Sequence, residues 1–175
     1  MRNKALKNLV FAAVFLALAY VLPFLTGQIP EIGSKLCPMH LPVLLCGFVC
    51  GPVYGLAVGL IAPILRSLTL SMPPLFPTAV AMCFELGAYG LFAGLFYKAF
   101  PKKVGYIYIS LILAMLLGRL VWGAAMYVLA AIGSKQFGLA AFWTSGFVNA
   151  LPGIILQIVV IPPIVLALKK AKLMD

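Results

Sequence analysis

Residues 41–65 read LPVLLCGFVCGPVYGLAVGLIAPIL, and the number of membrane passes turns on them. As one helix the stretch is roughly 37 Å long at 1.5 Å per residue, more than a hydrocarbon core of about 30 Å needs. Gly51-Pro52 sits in its middle. Glycine commonly ends a helix, and proline suits the first turn of a new one, where its missing N–H costs nothing. The dipeptide therefore predicts two short helices, Leu41–Cys50 and Val53–Leu65, joined by a tight turn. Neither half, at roughly 15–20 Å, crosses the core alone.

The flanking sequence weighs these alternatives. The 175 residues are 65% hydrophobic and 9% charged, whereas a soluble domain runs about 45–50% and about 25%. That excludes an ordinary soluble enzyme, a disordered chain and a disulfide-stapled module. Four further apolar runs follow membrane length: Leu6–Leu25, Thr78–Tyr97, Val104–Ile132 and Leu139–Leu168, the last bent at Pro152 and Pro162-Pro163. The first run follows Arg2, Lys4 and Lys7 and also has the look of a signal peptide, with Ala17-Leu18-Ala19 as a cleavage site. Its apolar character continues to Leu25, which favours a retained helix.

Charge decides the count. Lys and Arg number 13 against 3 acids, a formal net charge of +10. If residues 41–65 cross once and the N-terminus is cytoplasmic, five basic residues lie inside and seven outside. If they cross out-to-in and back, nine lie inside and three (Lys35, Arg66, Lys135) outside, with Arg119 within a helix. The positive-inside rule selects the second arrangement. The expected fold is an all-α membrane protein, a six-transmembrane-helix bundle in one domain over 1–175 with both termini cytoplasmic. The basic residues then set topology in a lipid bilayer and no longer point to nucleic acid.

The polar inventory is small. The acids are Glu31, Glu85 and Asp175, and His40 is the one histidine. A paired-carboxylate hydrolase needs two acids at one site, and only Glu85 lies within an apolar run. A closed zinc site needs about four ligands; Cys37, Cys46, Cys50 and His40 are better read as buried thiols and a loop histidine. No GxxxxGK[ST] phosphate loop occurs, so any ATP-driven work belongs to a partner. No catalytic residue, metal or cofactor is expected in this chain.

Ionisable groups inside a membrane face a cavity or one another. Glu85 and Arg119 reach comparable depth, as a structural ion pair or as the wall of a ligand cavity. Tyr89, four residues after Glu85, and Trp122, three after Arg119, share their faces. Asn149 and Arg66 cluster toward the same side, and Trp143 suits an interfacial belt. Aromatic walls with a few fixed polar groups are how proteins hold small organic ligands. The connection Thr26–Met39, with Gln28, Glu31 and Lys35, and the segment Ser67–Pro77 are long enough to cover such a cavity. Small residues recur at Gly47, Gly51, Gly55 and Gly59, at Gly90 and Gly94, and at Ala13 and Ala17, spacings that let helices approach closely. They serve packing within the bundle or contact with a partner.

The chain resembles the substrate-binding membrane subunits (S-components) of energy-coupling factor vitamin transporters. The resemblance covers essentially the whole chain and rests on its size, its six segments, the basic N-terminus before Ala13-x-x-x-Ala17, and Met39-His40-Leu41-Pro42-Val43-Leu44-Leu45-Cys46-Gly47 leading to Gly51-Pro52-x-Tyr54-Gly55. It implies a non-enzymatic subunit of a prokaryotic cell membrane. That subunit binds a vitamin or related micronutrient from outside, then docks on a transmembrane coupling subunit that carries two ATPases. Docking maps to Ala13 and Ala17. The pocket falls by position on Glu85, Tyr89, Arg119, Trp122 and Asn149, with Arg66 at the rim. Pantothenate, a pyridoxine- or pyrimidine-like ring and riboflavin are the candidate ligands. The alternative is a self-contained secondary transporter that uses Glu85 for ion coupling.

Overall fold

The computed structural model describes residues 2–26, 35–133 and 137–174. Six principal helices order them: α1 Arg2–Val21, α2 His40–Cys50, α3 Pro52–Leu70, α4 Val80–Ala99, α5 Val104–Ile132 and α6 Leu151–Lys170. A tight helical turn, Leu22–Thr26, extends α1, and a short helix, Leu139–Trp143, leads through a wider turn, Thr144–Val148, toward α6. Five apolar spans are long enough to cross a membrane: Lys4–Leu25, Pro52–Leu70, Leu75–Ala99, Val104–Ile132 and Leu139–Lys170. The outer-connection residues Gln28 and Glu31, with Lys135 and Asp175, lie outside the described residues.

Helix α2 is the short one, roughly 16 Å, and nine of its eleven residues are buried. It packs against α1, α3, α4 and α6. In hydrocarbon an unpaired backbone group costs several kcal/mol, so irregular backbone is tolerated where protein encloses it. That is how an 11-residue helix serves inside a bundle whose outer members are full length. Gly51 makes the predicted turn, with φ +96°, a region that favours glycine, and Pro52 opens α3.

Helix α3 is longer than its apolar run suggested. It continues through Arg66 to Leu70, 19 residues, roughly 28 Å, and spans alone. The charge does not end it, because Arg66 is buried: its Nη1 donates to the Tyr20 carbonyl, and its guanidinium lies 5.3 Å from the Phe24 ring centroid. Helix α4 starts at Val80 rather than Thr78, after an irregular turn over Leu75–Ala79. The last run is divided where a single bent helix was expected. Pro152 stands in the first turn of α6 and so begins a helix, while Pro162 and Pro163 lie within it.

The glycine stripes are internal seams. A Cβ on Gly90 would lie 2.2 Å from the Gly55 carbonyl oxygen, and one on Gly59 would lie 2.3 Å from that of Leu86. Backbones of α3 and α4 therefore touch, a contact open only to residues without a side chain there. One end of the bundle gathers the N-terminal part of α1, the Gly51 turn, the α4–α5 turn and the end of α6. There Asn8 Nδ2 donates to the Cys50 carbonyl (3.2 Å), the Tyr54 hydroxyl to that of Ala5 (3.3 Å) and Lys169 Nζ to that of Lys102 (2.9 Å). Both ends of the described chain thus lie together, as an even number of passes requires. His40 and Arg66 stand toward the opposite end.

Candidate functional site: a buried charged cluster

Helix α4 carries Glu85 in its second turn and Tyr89 one turn on. Helix α5 carries Arg119 near its middle. Glu85 Oε1 is 2.8 Å from Arg119 Nη1 and 3.4 Å from His40 Nε2. The Tyr89 hydroxyl hydrogen-bonds the same carboxylate, and its ring meets His40 edge-on at 5.2 Å. Gly118 makes room for that ring: a Cβ there would lie 1.9 Å from Tyr89 Cδ1. Glu85 is 2% exposed, Arg119 5%, His40 3% and Tyr89 1%.

The chain before α2 closes over this group. Cys37 takes a left-handed conformation (φ 48°), its carbonyl accepts the His40 backbone N–H at 3.0 Å, and its thiol receives Arg119 Nη2 at 3.6 Å. Burial pushes the Cys37 thiol above its ordinary range, against the pull of Arg119, so it is a neutral thiol. Lys35 and Leu36 rest on α6, where a Cβ on Gly153 would lie 2.7 Å from the Lys35 carbonyl oxygen. Gln157, one turn after Gly153, is buried.

Several atoms here are buried without a well-formed hydrogen bond: His40 Nδ1 and Nε2, Glu85 Oε1, Arg119 Nε and Gln157 Nε2. Glu85 Oε1 has Arg119 close, yet off the hydrogen-bonding direction. Most buried polar side-chain atoms have a partner, and leaving one without costs about 1–3 kcal/mol. Among the described residues no group of three His, Cys, Asp or Glu stands ready to hold a metal ion.

Of the sequence candidates, Glu85, Tyr89 and Arg119 come together. Trp122 lies one turn along α5 in a neighbouring aromatic group, edge-on to Phe137 (5.8 Å) and stacked on Phe142 (6.2 Å). Trp143 is exposed and stacks on Phe147 at 4.9 Å. Asn149 is exposed in the turn before α6. Arg66 is held against α1 by Tyr20 and Phe24, which are not members of the cluster. His40 opens α2 rather than lying in a loop, and its Nε2 faces Glu85. His40 and Cys37 were the residues missed. Their signal was a lone histidine at the mouth of an apolar helix, three residues after a cysteine.

On α1, Ala12 and Ala19 face the bundle, while Ala13 and Ala17 are exposed alongside Val10, Val14, Leu18 and Val21. Leu6, Lys7, Val10 and Phe11 line a shallow groove on the same helix.

A family model described as ECF transporter, substrate-specific component, matches residues 7–165. No curated protein and no solved structure matches the chain.

Proposed function

The chain belongs to the substrate-specific components of ECF transporters, non-enzymatic subunits of the prokaryotic cell membrane, and from that premise we propose that it binds a vitamin or related micronutrient at the Glu85–Arg119–His40–Tyr89 cluster and hands it to an ATP-driven partner. The observation that carries this is the buried convergence of Glu85, Arg119 and His40, with His40 Nδ1 and Arg119 Nε left without a hydrogen-bond partner. It stands toward the end of the bundle opposite the chain ends. With both termini cytoplasmic, that end faces outward, where an importer meets its substrate.

Glu85 and Arg119 fix each other in a low-dielectric setting, which pre-organises both for a ligand. Tyr89 holds the carboxylate from below, and Trp122 with Phe137 and Phe142 supplies an aromatic wall beside it. Arg66 serves to join α3 to α1. The sequence carries no GxxxxGK[ST] phosphate loop, and in this reading the energy comes from a coupling subunit and its two ATPases. The exposed Ala13 and Ala17 are the docking face, flat enough for another helix to approach. A carboxylate already tied to an arginine suits a fixed binding group better than a proton carrier, which weighs against a self-contained secondary transporter.

The test is uptake into proteoliposomes that hold the subunit with its coupling subunit and ATPases. Uptake of the bound vitamin is expected to require ATP and to fall with its binding affinity in Glu85→Gln. Undiminished uptake driven by a proton gradient without ATP would overturn the reading.

A further inference from the structure

We infer that the ligand of this cluster is an uncharged planar ring compound offering at least one hydrogen-bond donor and one acceptor along one edge, and that its carboxylated or phosphorylated analogues are rejected. The inference rests on the reading of the cluster as the binding site.

The charge balance argues it. Glu85 and Arg119 cancel at 2.8 Å, and Cys37 is a neutral thiol. A ligand carboxylate placed there would leave one buried negative charge without a counter-ion, which proteins avoid. Among the described residues no other arginine or lysine is bonded to the cluster. Arg66 is engaged by the Tyr20 carbonyl and the rings of Tyr20 and Phe24, and Lys35 is exposed. Glu85 is the only acid in the described chain, so Arg119 has no second carboxylate to which it can release Glu85's share.

The orphaned atoms describe the complementary edge. An imidazole has two ring nitrogens; His40 Nε2 faces Glu85 Oε1 at 3.4 Å, and Nδ1 is buried without a partner. Arg119 Nε adds a donor, and Glu85 Oε1 an acceptor. Arg119 Nη2 points at Cys37 Sγ, 3.6 Å away; sulfur is a weak acceptor, so a ligand oxygen or ring nitrogen is a better partner. The flat shape follows from the neighbours. The Tyr89 ring is fixed over Gly118, and the Trp122 group presents further aromatic faces, which favour offset or edge-on rings.

Three matched pairs test it, by calorimetry on the purified full chain in detergent at one fixed, mildly alkaline pH: pyridoxine and its 5′-phosphate, panthenol and pantothenate, riboflavin and its 5′-phosphate. A neutral ring compound is expected to bind, and at least ~100-fold more tightly than its anionic partner. Equal or tighter binding of the anionic member, tighter binding of panthenol than of either neutral ring, or binding by neither ring, overturns the inference. Glu85→Gln uncovers the Arg119 charge and should raise affinity for the anionic member by ~10-fold or more. Should that variant fail to fold, the double variant Glu85→Gln/Arg119→Gln removes both charges at once. It is expected to weaken neutral binding while leaving the neutral preference in place. Wild-type binding tighter for the anionic member than for its neutral partner, and weakened in the double variant, overturns the charge class and keeps the site. Binding that neither variant changes removes the site itself.

Discussion

One methyl group placed beneath Tyr89 tests whether the cluster is as tightly built as its geometry implies. In Gly118→Ala the new Cβ would lie 1.9 Å from Tyr89 Cδ1, 2.0 Å from Cε1 and 3.1 Å from Cγ. Carbon atoms settle at about 3.5–4.0 Å, so the ring must retreat by about 1.5 Å. It has little room, being 1% exposed with the His40 ring 5.2 Å away. Overpacking of this kind costs about 1–3 kcal/mol, offset by about 0.5–1 kcal/mol from replacing glycine within a helix. A net loss of about 1–2 kcal/mol is expected, read as a lower midpoint of thermal unfolding in detergent. The retreating ring also draws its hydroxyl from Glu85. A hydrogen bond to a charged group is worth about 1.5–3 kcal/mol, so affinity for the tightest of the vitamin probes should fall by ~10-fold or more. Gly105→Ala is the control on the same helix. A Cβ there meets nothing within 4 Å, and the change should stabilise by up to about 1 kcal/mol with affinity unchanged. A Gly118→Ala protein with the unfolding midpoint and affinity of the wild type would refute the reasoning.

Three further outcomes follow from the same contacts. Gly90→Ala drives a methyl to 2.2 Å from the Gly55 carbonyl oxygen. Since backbone cannot swing aside, it should cost upward of about 2 kcal/mol, measured as loss of folded protein on thermal challenge. Arg119→Ala strands a buried carboxylate at a cost of about 3–5 kcal/mol and should weaken binding more than Arg66→Ala does; equal losses would remove Arg119 from the pocket. Ala13→Trp or Ala17→Trp on the exposed face of α1 should leave ligand binding intact and abolish ATP-driven uptake in the assembled transporter, and surviving uptake would place docking elsewhere.

The fold was largely legible because a bilayer imposes simple demands. Apolar runs must be long enough to cross, and cationic loops prefer one side. Val104–Ile132 was read to the residue. The Gly51-Pro52 break and the even number of passes came from one dipeptide and a count of lysines. What misled was the assumption that a charge ends a span. Arg66 lies inside α3, because the Tyr20 carbonyl and two aromatic rings meet it there, and no local pattern announces a partner 46 positions away. Pro152 was read as a bend because the wider turn before it breaks a run that is apolar throughout.

The cluster was half legible for a similar reason. Rarity alone singled out Glu85 and Arg119, and helical spacing added Tyr89. His40 and Cys37 belong to a connection whose path no periodicity describes, and they reach the cluster through the left-handed turn at Cys37. Asn149 shared the expected depth but not the face, since the turn before α6 rotates it outward. Depth follows from counting residues, whereas facing depends on how each helix is rotated by its neighbours.

Native mass spectrometry of the purified chain beside its Glu85→Gln/Arg119→Gln variant probes the central claim most directly. The variant keeps the shape of the Glu85 side chain, replaces the Arg119 guanidinium by a shorter neutral amide, and leaves neither member of the pair as an unpaired charge. The wild-type protein is expected to carry a small organic molecule acquired in the cell, and the variant to fold with a similar melting midpoint and to lack it. Equal occupancy in the two proteins would place the ligand elsewhere and leave Glu85 and Arg119 as a structural pair.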